Sequence, residues 1–324
     1  MRDLSDLHRR LRRRLRQSEG ESFLPAAGDS ERAVAPGDDS FLPPPQAAAR
    51  TAPEGTRTVP GGEKVSAAAA LAAGDDSFLP PLAGAGPSPA PAFADLATAL
   101  PGEEVRGEFG PCWRLAYQGR DWAPDGPELV AAWRNAGRTR IRRLAELLAL
   151  DPARVVCLDI ETCGLRAVPL FLVGLAWLGA DDVGLELLLA RRLSEEAAVL
   201  EAAFARLRTV DTLVTFNGES FDVPFLLARA SYHRLRPALP RRHVDLLPIA
   251  RRKVGKRFGD CRLTTLESGL CGRRRPGDDL PGARVPDMYR RFTDSGNAAL
   301  LRPLVEHNAW DLMTLIALAP ALVR

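Results

Sequence analysis

Asp159 and Glu161 lie two residues apart in the stretch RVVCLDIET. Side chains alternate across a strand, so both carboxylates face one side of a sheet. Two like charges placed together are unfavourable until something neutralises them. A divalent cation does this, and oxygen donors suit Mg²⁺ or Mn²⁺. A third acid, Asp222, follows the turn in TFNGESFDVPFL. A fourth, Asp311, stands four residues after His307 in VEHNAWDLMTL, inside a run that otherwise reads as an amphipathic helix. Four residues is about one helical turn, so both side chains point the same way. Each feature taken singly has a plain structural reading. A solvated edge strand carries such an acidic pair, an acid in the first helical turn answers the helix dipole, and a buried helix can carry a polar pair. The combination is what points to a metal-binding centre.

These side chains need elements to hold them. EVRGEFGPCWRLAYQG reads as one or two short strands, and PELVAAWRNAGRTRIRRLAELLAL as a helix with Leu and Ala at helical spacing. RVVCLDIET is a β-branched strand, followed by candidate strands LFLVGLAWLG and GLELLLA. SEEAAVLEAAFARLRT reads as a helix with Ser194 at its N-cap and acids in the first turn. DTLVTFN is a further strand, and FDVPFLLARASYHRL a helix with Pro224 in its first turn. The rest reads as mostly helical, with His243 and Asp245 in a structural turn. Three strands in succession, then helix, strand and helix, indicate an α/β fold with a mixed sheet flanked by helices.

In order and spacing, LDIETCGL, TFNGESFD and HNAWD resemble the motifs of the DEDD 3′–5′ exonuclease superfamily, which has the ribonuclease H-like fold. Within it the chain resembles the YprB-type domains, through HVDLLPIARR, CRLTTLE, LPGARVPDMYRRF and EHNAWDLMTLIAL, over roughly 105–324. The resemblance implies a nuclease that removes nucleotides from single-stranded 3′ ends of DNA or RNA with two metal ions, Mg²⁺ or Mn²⁺. Four carboxylates can hold two divalent ions about 4 Å apart. Asp159 would bridge both, Glu161 would bind one and orient the water, and Asp222 and Asp311 would complete the coordination. His307 is the candidate general base. The superfamily places a Tyr four residues before the last Asp, or a His five before it. Here the spacing is that of the Tyr and the residue is His, while Glu306 stands five before. Imidazole has a reference pKa of about 6.5 against about 10 for a phenol, so it can act near neutral pH.

Phosphates call for basic side chains. Arg251, Arg252, Lys253, Lys256, Arg257 and Arg262 form the densest cluster, with the arginines of GRRRPG following at 273–275. The opposing reading is a solvated basic face in an Arg-rich chain, since Lys occurs only at 64, 253 and 256. Asn217 is expected to shape its turn, and Phe221 to pack in the core rather than stack on a base.

The whole chain has 324 residues, 46% hydrophobic and 26% charged, which fits a soluble globular protein. Its net charge of +3 is too small to imply a polyanion partner by itself. Five cysteines without a CxxC pair argue against a zinc site. Their odd number, with no signal peptide or apolar run long enough to span a bilayer, leads to the expectation of a cytoplasmic protein.

The first 17 residues, MRDLSDLHRRLRRRLRQ, carry Leu at 4, 7, 11 and 15 and read as a basic amphipathic helix. Residues 18–104 are rich in Ala, Pro, Gly and acids and read as a disordered linker. Within it GDDSFLP occurs at 37–43 and again at 74–80, with GESFLP at 20–25. The SFLP cores at 22–25, 40–43 and 77–80 have the form of apolar anchors that dock a protein partner, or else are drift in a tether. The competing functional reading is therefore a nucleic-acid-binding or scaffolding protein on a nuclease fold. The presence of all four carboxylates favours the enzyme.

Overall fold

In the computed structural model the described residues are 2–3, 95–165, 168–276 and 280–323. Most of the N-terminal helix, nearly all of the linker and the SFLP segments lie outside them. Of the expected N-terminal helix, only Arg2 and Asp3 are described, and they form a two-residue strand, β1.

The remaining strands are β2 (Glu103–Gly107), β3 (Gly110–Gln118), β4 (Val155–Thr162), β5 (Leu170–Leu178), β6 (Val183–Leu189), β7 (Thr212–Thr215) and β8 (Arg242–Asp245). The helices are α1 (Leu96–Ala99), α2 (Gly126–Arg134), α3 (Arg142–Leu148), α4 (Glu196–Leu207), α5 (Asp222–Tyr232), α6 (Leu246–Phe258), α7 (Leu263–Gly269), α8 (Val285–Ser295) and α9 (Arg302–Ala321). The strand order is β1-β8-β7-β4-β5-β6-β3-β2. β2 through β6 pair antiparallel, whereas β7 runs parallel to both β4 and β8. This is the mixed α/β sheet the strand pattern indicates.

Why β4 is central follows from its composition. Val155 to Leu158 are all buried, so the strand is apolar on both faces and must be covered on both. α9 packs across β4, β5 and β6, while α4 packs across β2, β3, β5 and β6, on the opposite face. α9 is not the simple amphipathic helix its sequence suggests. From Asn308 to Ala321 every residue but Asp311 is buried, because the helix is enclosed by the sheet and by α2, α3, α6, α7 and α8. Burying a Leu of this kind contributes roughly 1.5–3 kcal/mol.

Several local expectations need correction. The predicted helix spanning PELVAAWRNAGRTRIRRLAELLAL is two helices, α2 and α3, separated at Asn135–Ile141. Asn135 is the C-cap of α2, and Gly137 follows it. Ser194 does not cap α4. It lies in a 3₁₀ turn, Leu193–Glu195, and Glu195 is the N-cap residue, its side chain bound instead to the Arg191 guanidinium and backbone. His243 and Asp245 belong to a strand, β8, rather than to a turn. Packing also begins before residue 105, since Leu96 and Leu100 are core residues and β2 starts at Glu103.

Candidate active site

Asp159 sits near the end of β4, in register with Gly174 of β5. That pairing explains how α9 comes so close. A Cβ on Gly174 would stand 1.9 Å from Asn308 Oδ1 and 2.8 Å from Leu312 Cδ1. The bare glycine admits Asn308, whose Nδ2 donates to Asp159 Oδ2 at 2.7 Å. Glu161, two residues on, is buried beside it, just before the ladder slips register at Glu161/Thr162.

The second motif is shaped by β8. Asp245 is the N-cap of α6, accepting from Leu247 N at 3.0 Å. The same carboxylate accepts from Asn217 N at 2.8 Å and Glu219 N at 3.0 Å. Asn217 adopts the left-handed region, φ 67°, as its expected turn role requires. Phe221 packs against the core, tilted on Phe225 with ring centroids 5.5 Å apart. The turn delivers Asp222, buried, to the first position of α5. α5 is anchored in turn by Arg229, which donates to Glu196 Oε1 at 2.7 Å, the oxygen that also accepts from Leu170 N at 2.9 Å. β5, α4 and α5 thus share one buried carboxylate.

α9 supplies the third motif. His307 and Asp311 lie on one side of the helix, Nε2 to Oδ2 3.7 Å, too long for a hydrogen bond. His307 also lines a cavity of about 400 Å³ with Trp122, Trp310, Arg302, Asp121 and Arg275.

Asp159, Glu161, Asp222 and Asp311 feel one another electrostatically. Burial raises the Asp159 carboxyl well above the usual range, and the charges of Asp311, Glu161 and Asp222 raise it further, opposed by the Asn308 hydrogen bond. Burial likewise pushes Asp222 up to about 7. Its own backbone N–H and that of Ile160 pull it down, while Asp245 and Asp311 push it up. Enclosed acids that resist ionising alone are the donor set a divalent ion neutralises, so the residues fit such an ion by charge and chemistry. Among the described residues, however, no three His, Cys, Asp or Glu side chains gather tightly enough to ligate one as they stand.

The sequence reading missed four contributors. Asn308 and Gly174 set the approach of α9, Asp245 builds the second-motif turn, and Arg275 enters the carboxylate group. Arg275 Nη2 donates to Asp311 Oδ1, and Nε donates to Glu267 Oε2 at 2.7 Å. Burial works against the guanidinium's charge, but Asp311 and Glu267 outweigh it, so its proton is held more tightly than usual. Arg273 also turns inward, onto Asp125 and over the Trp310 ring. Two of the three arginines in GRRRPG are therefore neither phosphate contacts on the surface nor a solvated face.

Of the six basic residues singled out for phosphate, Arg251, Arg252, Lys256, Arg257 and Arg262 are exposed. Lys253 is a correction. It is half-buried and its Nζ donates to Leu322 O, closing the C-terminal end of α9. All five cysteines are free, and no helix among the described residues is long and apolar enough to cross a membrane.

The chain is similar to protein YprB of Bacillus subtilis, 30% identical over 196 residues, covering 59% of this chain and 46% of that protein. It is also similar to protein MJ0365 of Methanocaldococcus jannaschii, 30% identical over 112 residues, 32% of this chain and 59% of that one. The chain thus spans about half the length of the curated relatives it matches. The family B DNA polymerase of Pyrobaculum calidifontis superposes with a TM-score of 0.42 at 19% identity, over 52% of this chain and 24% of that one, a likeness too slight to carry function. A sequence model of the RNase H superfamily matches residues 156–323, from the strand that carries Asp159 to the end of the helix that carries Asp311, and the chain belongs to that superfamily.

Proposed function

We propose that the protein is a metal-dependent 3′–5′ exonuclease acting on single-stranded ends of DNA or RNA. The observation that carries this reading is the enclosed set of four acids around Asp159, whose charge is disfavoured by burial and by the other three. Asp159, Glu161, Asp222 and Asp311 would hold two divalent ions, Mg²⁺ or Mn²⁺. Such ions, when bound, activate an attacking water and stabilise charge on the phosphate and the leaving oxygen. Asn308 fixes one oxygen of Asp159 at 2.7 Å and so orients the other. His307, with its Nε2 on the Asp311 side, takes the proton of the attacking water. The exposed cations of α6, with Arg262, would bind the phosphate backbone away from the cleaved bond.

The test is degradation of 5′-labelled single-stranded DNA and RNA with Mn²⁺ or Mg²⁺, beside Asp159→Asn and Asp222→Asn. A ladder that shortens from the 3′ end, absent in both variants, is the expected result. Oligonucleotides left intact under every condition would overturn it and favour the binding or scaffolding reading.

A further inference from the structure

Asp311 is already engaged by a cation of the protein's own. Arg275 approaches it from the segment after α7, with its Nη2 on Asp311 Oδ1. The side chains involved are nearly closed to solvent: 8% exposed for Arg275, 3% for Glu267 and 16% for Asp311. Glu267, on α7, holds the other edge of the guanidinium and belongs to no motif of the proposed centre. Its remaining oxygen, Oε1, is buried without a hydrogen-bond partner. A buried acid kept in that state anchors the arginine rather than serving solvent. An arginine does not lose its charge in the accessible pH range, so the pairing is permanent unless something displaces it.

We propose that Arg275 is a resident counter-cation that competes with a divalent ion for Asp311, so that a metal must displace the guanidinium to use that carboxylate. Arg275 is then a positioning residue that holds Asp311 in the metal-free protein. This rests on the metal-dependent reading above and goes beyond it by naming the group of this chain that a metal must displace from Asp311.

The test is Mn²⁺ titration of the full chain by calorimetry, with no nucleic acid present, for the wild type, Arg275→Gln and Arg275→Lys. A neighbouring charge changes a carboxylate's affinity for a proton by one to three powers of ten, and the same scale applies to a cation. Arg275→Gln is therefore expected to tighten Mn²⁺ binding by about tenfold or more, while Arg275→Lys, which keeps the charge, leaves it near that of the wild type. Thermal unfolding is the second reading. Without metal Arg275→Gln melts below wild type, because Glu267 and Asp311 lose their shared partner, and Mn²⁺ raises its midpoint by more than it raises the wild type's. Isotherms identical in wild type and Arg275→Gln, or Gln and Lys variants that shift alike, would overturn the competition while leaving the metal reading intact. Absence of Mn²⁺ binding in all three proteins would overturn the metal reading, and this inference with it.

Discussion

His307 reaches the carboxylate group by helical spacing alone, on the same side of α9 as Asp311. Its Nε2 stands 3.7 Å from Asp311 Oδ2, beyond hydrogen-bond distance of that oxygen. On the proposed mechanism the imidazole takes a proton without serving as a ligand. His307→Ala is accordingly expected to lower turnover by about a hundredfold or more, the scale of general acid–base catalysis, with Mn²⁺ affinity near that of the wild type. Calorimetry beside single-turnover kinetics separates the two effects. An unchanged rate would remove the imidazole from the mechanism. Asn308, the very next residue, acts through Asp159 and was invisible as a ligand-positioning group, because its partner lies 149 residues away.

At the scale of elements, the second motif is a turn whose shape is imposed from outside. Asp245 belongs to β8 and α6, yet it accepts the backbone N–H groups of both Asn217 and Glu219. The parallel pairing of β7 with β8, with Thr215 opposite Asp245, puts that carboxylate under the turn. Hydrogen bonds to a charged group contribute about 1.5–3 kcal/mol each when buried partners would otherwise be left unmade. Asp245→Ala is therefore expected to cost about 3 kcal/mol or more and to misplace Asp222, with activity falling further than stability predicts. Chemical denaturation and the oligonucleotide assay measure the two losses. Activity that stays at wild-type level in the folded variant would show that the turn does not depend on this strand. The α2–α3 break and the displaced cap of α4 belong to the same scale: periodicity placed the helices, but side-chain bonding such as Glu195 to Arg191 decided their ends.

For the whole molecule, the exposed cations on α6 form the face that the proposed function assigns to the phosphate backbone. Arg251, Arg252, Lys256 and Arg257 share that helix, whereas Lys253 on the same helix is spent on Leu322. If this face binds phosphate, binding weakens with salt, and each cation removed lowers the salt slope by about 0.7 for a single strand. Arg251→Ala with Lys256→Ala is expected to reduce the slope accordingly and to leave hydrolysis of a short oligonucleotide at low salt little changed. Lys253→Ala is expected to act on stability rather than on salt dependence. A slope that the double variant does not alter would remove α6 from the nucleic-acid path. Protein docking through the SFLP segments stays a proposal of the sequence alone.

The amino-acid sequence by itself determined the α/β class, the strands that carry Asp159 and precede Asp222, the helix that carries His307 and Asp311, and the superfamily. These follow from periods of two and 3.6 residues and from motifs a few residues long, and local chain geometry is enough to express them. Tertiary structure decided the rest. That Gly174 must be bare for Asn308 to enter, that Asp245 shapes a turn 26 to 28 residues before it, and that Arg275 bridges Glu267 to Asp311 all depend on strand register and helix approach. The physical reason is that burial removes water as the partner of a polar group, so each such group must find its neighbour wherever packing brings one, at whatever distance along the chain.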